Sequence, residues 1–157
     1  MEYERAKAAA AALIAGRMYT CGEICSKLKM KGCDEDMAQS VVMEFAEAGI
    51  LNDEEYAKMY IHDGLNVHLK GMFRLKQELI RKGVAKSVIE RAAESFEENE
   101  QSGLLDYIQM RYPSGCFEDR RSLEKAKAHL IRRGFGIYDI NKAFRELDIE
   151  IKRSDDD

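Results

Sequence analysis

Three short segments of this chain close in the same way: Leu28-Lys-Met-Lys-Gly32, Leu79-Ile-Arg-Lys-Gly83 and Leu130-Ile-Arg-Arg-Gly134. Their glycines are 51 residues apart both times. A repeat of constant period constrains a fold more than any single motif, because each unit must bury its apolar face on its neighbours. The same shift superposes Ile24, Leu75 and Ala126; Cys33, Val84 and Phe135; and Ala38, Ile89 and Ile140. It also aligns Val42 with Ala93 and Phe144, and Phe45 with Phe96 and Leu147, without a gap.

Each repeat reads as three short helices. The second helix of each is expected to begin at Thr20, Gly71 or Ser122, all acceptable N-caps, and Thr20 with Glu23 fits a capping box. Apolar residues then recur at helical spacing up to the shared glycine, which can adopt φ > 0 just past the helix end. Third helices are expected near 35–48, 86–98 and 137–148, and first helices near 2–16, 53–67 and 103–112. Asn52-Asp-Glu-Glu55 caps the second of these first helices. Linkers fall near 49–52, 66–71, 99–102 and 113–119. The expectation is an all-α fold of three tandem, helix-turn-helix-like three-helix repeats in an elongated, curved array. The units are 1–50, 51–101 and 102–152, with an acidic tail at 153–157.

Composition agrees. Among 157 residues there is one proline, Pro113, and no tryptophan, while helix formers are abundant. β-branched and aromatic residues are too sparse for a sandwich or barrel. The longest apolar run, Ala8–Ala15, falls short of the roughly 20 residues of a membrane span. The N-terminal residues lack the basic-then-apolar pattern of a secretion signal. Cysteines at 21, 25, 33 and 116 are too few and too scattered for a secreted disulfide framework. A reduced, cytoplasmic protein is expected.

The repeat also serves as an internal control on chemistry. Cys21 aligns with Met72 and Leu123, and Cys33 with Val84 and Phe135, which marks both as core positions. Cys25 aligns with Lys76 and Lys127 and should be exposed, so the three thiols face apart and a zinc site is not expected. His129 aligns with Lys27 and Glu78 on a solvated face, while His62 and His68 flank a loop. No nucleophile–base grouping and no glycine-rich phosphate loop can be assembled. The expectation is a protein that is not an enzyme and that uses no cofactor or metal.

Charge placement says more. The net charge of −4 conceals a block at 34–64 with nine acidic groups and one lysine. Residues 70–91 carry seven basic and two acidic groups, and residues 120–133 six basic and one acidic. Arg74 and Arg81 lie i, i+7 on the second helix of repeat two, and Lys125 and Arg132 occupy the same register in repeat three. Repeat one has Glu23 and Met30 there. Lys70, Lys82, Arg120, Arg121 and Arg133 border this basic face. Such a face suits phosphates or an acidic protein surface. Tyr107, Tyr112, Phe117 and Tyr138 lie nearby in sequence and are expected to pack rather than stack on bases.

The segment Arg17-Met-Tyr-Thr-Cys-Gly-Glu-Ile-Cys-Ser-Lys-Leu-Lys-Met-Lys-Gly32 resembles the opening signature of RecX, the bacterial regulator of the recombinase RecA. Gly49-Ile-Leu-Asn-Asp-Glu-Glu-Tyr-Ala57 resembles that family's most recognisable motif, with Asn52 where an aspartate is usual. Gly71, Arg74, Leu75, Glu78, Leu79, Lys82 and Gly83 match the pattern that follows, and Ala128-His-Leu-Ile-Arg-Arg-Gly-Phe135 fits the final repeat. The resemblance implies a non-catalytic modulator that binds RecA filaments on single-stranded DNA. Such a modulator suppresses ATP hydrolysis and strand exchange and limits filament extension. Direct contact with the DNA is expected to be weak or indirect, and the chain to be a monomer. On that reading Lys70, Arg74, Arg81, Lys82, Arg120, Arg121, Lys125, Arg132 and Arg133 face DNA phosphates or acidic RecA surface. The alternatives are a RecA-independent helical-repeat DNA-binding protein and a scaffold for an unrelated protein.

Overall fold

The computed structural model describes residues 2–152. The acidic tail expected at 153–157 lies outside the described residues. The first repeat comprises α1 (Tyr3–Gly16), α2 (Cys21–Met30) and α3 (Glu35–Glu47). The second comprises α4 (Asp53–Asn66), α5 (Met72–Arg81) and α6 (Lys86–Ala93), with a 3₁₀ turn at Glu94–Phe96. The third comprises α7 (Glu97–Arg111), α8 (Arg120–Arg132) and α9 (Ile137–Glu146). No helix among the described residues is long and apolar enough to cross a membrane.

Local chemistry accounts for several helix ends. Thr20 accepts from the Glu23 N–H while the Glu23 carboxylate accepts from the Thr20 N–H, a complete capping box. Asp34 caps α3 through the Met37 N–H, and Asn52 Oδ1 accepts from the Glu55 N–H at 3.1 Å. Gly32, Gly83 and Gly134 all have positive φ, +100°, +88° and +105°, as the shared helix stop requires.

The register of the core follows the 51-residue period. Ile24, Leu75 and Ala126 are buried, and so are Leu28, Leu79 and Leu130, then Cys33, Val84 and Phe135, then Ala38, Ile89 and Ile140. One further triplet, Val41, Ala92 and Ala143, is fully buried although two of its members are alanines, which carry little apolar signal in sequence. Cys21, Met72 and Leu123 are half-buried rather than core.

Three boundaries differ from expectation. α8 begins at Arg120, with Asp119 accepting from the Ser122 N–H at 2.8 Å, so Asp119 and not Ser122 is the cap. The aspartate also brings a negative charge to the positive end of the helix. α6 gives way to the 3₁₀ turn, and α7 then starts at Glu97, so the expected linker at 99–102 is helical. Three glutamates in that first turn favour the positive helix end, and Glu100 accepts from the Met72 N–H across the fold. Within the linker at 113–119, Cys116–Phe117 (β1) pairs in parallel with Glu150–Ile151 (β2).

The described residues divide into two compact units. One runs through Met59 and resumes at Glu78–Ala92; the other comprises Tyr60–Gln77 and continues from Ala93. In the first, Ala6, Ala10, Ile24, Leu28, Val41 and Phe45 form the centre of a core that Leu51 closes. In the second, Leu104, Ile108, Leu130, Phe135, Ile140 and Phe144 do the same.

Each unit holds one glycine joint between consecutive repeats. In the first, the Thr20 hydroxyl donates to the Lys82 carbonyl at 2.5 Å, and a Cβ on Gly22 would lie 2.9 Å from the Gly83 Cα. In the second, the Gly71 N–H donates to the Arg133 carbonyl at 2.8 Å and the Phe73 N–H to the Gly134 carbonyl at 3.1 Å. A Cβ on Gly71 would lie 2.3 Å from the Gly134 carbonyl carbon, which is backbone and cannot rotate away. Gly71→Ala is therefore expected to destabilise the fold by roughly 2–4 kcal/mol in urea unfolding, within the range of strong overpacking. Gly16→Ala, in a helix with open space around the glycine, is expected to change stability by less than about 1 kcal/mol.

Candidate protein and nucleic-acid interface

The nine basic residues singled out by sequence fall into two groups. Arg74, Arg81, Lys125 and Arg132 are exposed on α5 and α8. On each helix the pair is spaced i, i+7, which puts its two members on one face. Arg120 and Arg121 are also exposed, in the first turn of α8. Cations at a helix N-terminus oppose the macrodipole, each at a cost of about 0.3–1 kcal/mol.

Lys82 and Arg133 are placed differently. They occupy equivalent register positions and both belong to the glycine joints. Lys82 Nζ lies 3.8 Å from Glu23, and its carbonyl receives the Thr20 hydroxyl. The Arg133 guanidinium donates to the Leu69 carbonyl at 2.9 Å and to the His68 carbonyl at 2.5 Å, and lies 5.2 Å from the centre of the Tyr107 ring. Leu69 has a φ of +53°, so the arginine fastens a turn in a conformation that leucine rarely adopts. Lys70, half-buried, ends the same turn.

The absence of a basic face in repeat one has a structural cause. Glu23, which stands in register with Arg74 and Lys125, closes the capping box of α2 and faces Lys82 and Arg17. Met30, in register with Arg81 and Arg132, is exposed.

The other candidate groups are structural. Cys33 is buried, Cys21 and Cys25 are half-buried and Cys116 is exposed. Cys25 is thus less accessible than its lysine register suggests. Burial, reinforced by the nearby Asp53 carboxylate, pushes the Cys21 thiol up to about 12 and so disfavours the thiolate. Among the described residues no three His, Cys, Asp or Glu side chains converge as a metal site would require. His129 is not on a solvated face: it is half-buried, bonded to the Tyr107 hydroxyl at 2.7 Å and stacked on that ring. Burial and the cations of Arg111, Arg133 and Arg132 hold its pKa below the ordinary value.

Of the aromatics expected to pack, Tyr107 is buried, Tyr112 meets Phe117 in a tilted pair at 5.3 Å, and Phe117 stacks on Phe144. Tyr138 does not pack and is 72% exposed. Phe73, which sequence reading passed over, is 65% exposed. Its place at the start of a strongly amphipathic helix was visible, but the side on which the next repeat docks was not.

Comparison with known proteins bears on the whole chain. Residues 6–44 match the domain family described as the first three-helix domain of RecX, and residues 52–92 the second. The regulatory protein RecX of Caldanaerobacter subterraneus subsp. tengcongensis is 31% identical over 145 residues, spanning 91% of this chain and 71% of the relative. The regulatory protein RecX of Halorhodospira halophila is 29% identical over 150 residues, spanning 96% and 92%. In fold, the chain is similar to the crystal structure of RecX from Lactobacillus salivarius, with a TM-score of 0.81, 23% identity and coverage of 93% and 96%.

Two outcomes follow from the geometry. Arg133→Met should lower stability in urea by about 1–3 kcal/mol, because two backbone carbonyls lose charged donors, whereas Arg132→Met should stay within about 0.5 kcal/mol. Because the folded state lowers the His129 pKa, protonation opposes folding. Wild type should lose stability as pH falls below the ordinary histidine value, and His129→Gln should remove part of that loss in parallel melts at pH 7.5 and 5.5.

Proposed function

The chain belongs to the RecX family, and from that membership we propose that it binds filaments of the recombinase RecA. Bound there, it restrains ATP hydrolysis, filament extension and strand exchange. It acts without catalysing a reaction; the relatives named above are regulatory proteins.

The observation that carries this reading is the repeated cationic pair. Arg74 with Arg81, and Lys125 with Arg132, are exposed at the same register of two successive repeats, whereas the first repeat spends that register on a cap. A nucleoprotein filament is a periodic, strongly anionic target, and a periodic presentation of cations suits it. Arg120 and Arg121 extend the cationic stretch of α8 at the expense of local helix energetics, as functional positions often do. Lys70 contributes from the turn before α5. Lys82 and Arg133 act on the filament chiefly by holding the joints that position α5. Most of the contact is with filament protein and phosphate, and one chain acts as a monomer in the cytoplasm.

The test is charge removal at the face while the joints are left intact. Arg74→Gln/Arg81→Gln should weaken inhibition of RecA's single-strand-dependent ATPase by about tenfold or more in concentration. It should also flatten the dependence of that inhibition on salt by about two counterions. Inhibition equal to wild type at several salt concentrations would remove these two residues from the interface.

A further inference from the structure

The second glycine joint gathers residues that are distant in sequence. The Gly71 and Phe73 N–H groups bond to the Arg133 and Gly134 carbonyls, which ties the start of α5 to the turn between α8 and α9. The Phe73 ring lies over Gly136, whose added Cβ would come 3.0 Å from Phe73 Cε2. Two residues beyond that glycine, in the first turn of α9, stands Tyr138. The joint therefore sets two aromatic side chains, 65% and 72% exposed, on one locality of the same compact unit.

Cations flank the same joint along the chain. Arg74 follows Phe73 and sits against Gly134, Lys70 precedes the joint, and Arg132 ends α8 next to the residue that accepts the Gly71 N–H. Two carboxyl groups also approach: Asp139 Oδ2, which would lie 3.6 Å from a Gly136 Cβ, and Glu100, which accepts from the Met72 N–H. Lys76 and Glu97 add one charge of each sign beside Glu100, so with Arg133 counted five basic groups stand near three acidic ones. The N–H groups of Gly71, Met72 and Phe73 are all satisfied within the fold, so the end of α5 offers no anion site of its own. Any phosphate held here is held by side chains.

Exposed aromatic faces among arginines and lysines are the arrangement by which proteins hold single strands without regard to sequence. Every base has a face to stack, and the phosphates need only charge. We infer that Phe73 and Tyr138 form a stacking platform for unpaired nucleotide bases, with Lys70, Arg74 and Arg132 holding the flanking phosphates. This deepens the filament reading by giving the chain a direct, base-dependent grip on single-stranded nucleic acid. It rests on that reading only for where the strand is met.

The experiment is done without RecA, so that its result is separable from any effect on the recombinase. Anisotropy is measured with a fluorescein-labelled 20-mer of thymidylate and with an abasic 20-mer that carries the same phosphates. Wild type should bind the thymidylate strand about tenfold or more tightly than the abasic strand, within the range for stacked bases. Phe73→Leu/Tyr138→Leu should erase that preference while keeping affinity for the abasic strand, and Phe73→Trp/Tyr138→Trp should preserve it. Circular dichroism melts confirm that both exposed positions leave the fold intact. The inference is overturned if wild type binds the two strands alike or binds neither, or if the leucine variant keeps the preference. It is equally overturned if the leucine variant loses only the capture of DNA-free RecA, which would make these residues a protein anchor.

Discussion

The structure depends on close backbone approach at glycine. Gly22 against Gly83, and Gly71 against Gly134, leave no room for a side chain, and each contact is locked by a hydrogen bond to the carbonyl of the residue before the distal glycine. Backbones that near each other exclude water and fix orientation with few degrees of freedom. Each three-helix repeat buries only a small core, so a rigid joint does for this chain what a larger core does elsewhere. The third repeat carries Ser122 and Glu124 at the corresponding positions, and α8 extends one turn further back, to Arg120. The joint is thus not offered again.

This arrangement divides labour among the cations. Lys82 and Arg133, one residue before the distal glycines, are drawn into the joints, where they meet Glu23 and the carbonyls of the turn after α4. Arg74, Arg81, Lys125 and Arg132 remain exposed. Charge alone does not separate the two groups; register against the joint does. The same logic explains why Glu23 interrupts the basic pattern in repeat one, since it is both a cap and the partner of a joint lysine.

Much of this was legible in the sequence. The 51-residue period set the fold class and the buried register, and the cap at Thr20 and the glycine stops stand where spacing put them. What escaped depends on tertiary contact or local competition. A gap-free shift assigns the α8 cap to Ser122, but Asp119 takes the Ser122 N–H and starts the helix one turn earlier. Residues 99–102 read as a polar linker, yet Glu100 is recruited by the Met72 N–H and draws its neighbours into α7. Glycine at 83 and 134 was explained by positive φ alone, so the second demand on those residues, close approach, left no separate trace. Phe73 and Tyr138 carry the residue types of a core and stand outside it, in register with Gly22 and Glu124 and with Asp36 and Ser87, positions the repeat does not use for its core.

We propose that this chain restrains RecA through a surface mounted on the joined repeats. The most direct test is the rate of ATP hydrolysis by RecA on saturating single-stranded DNA as purified chain is added. The account predicts a progressive fall in rate, saturating with fewer chains than RecA subunits and relieved by added salt. A rate that stays constant up to a several-fold excess of chain over RecA, at low salt, would contradict it.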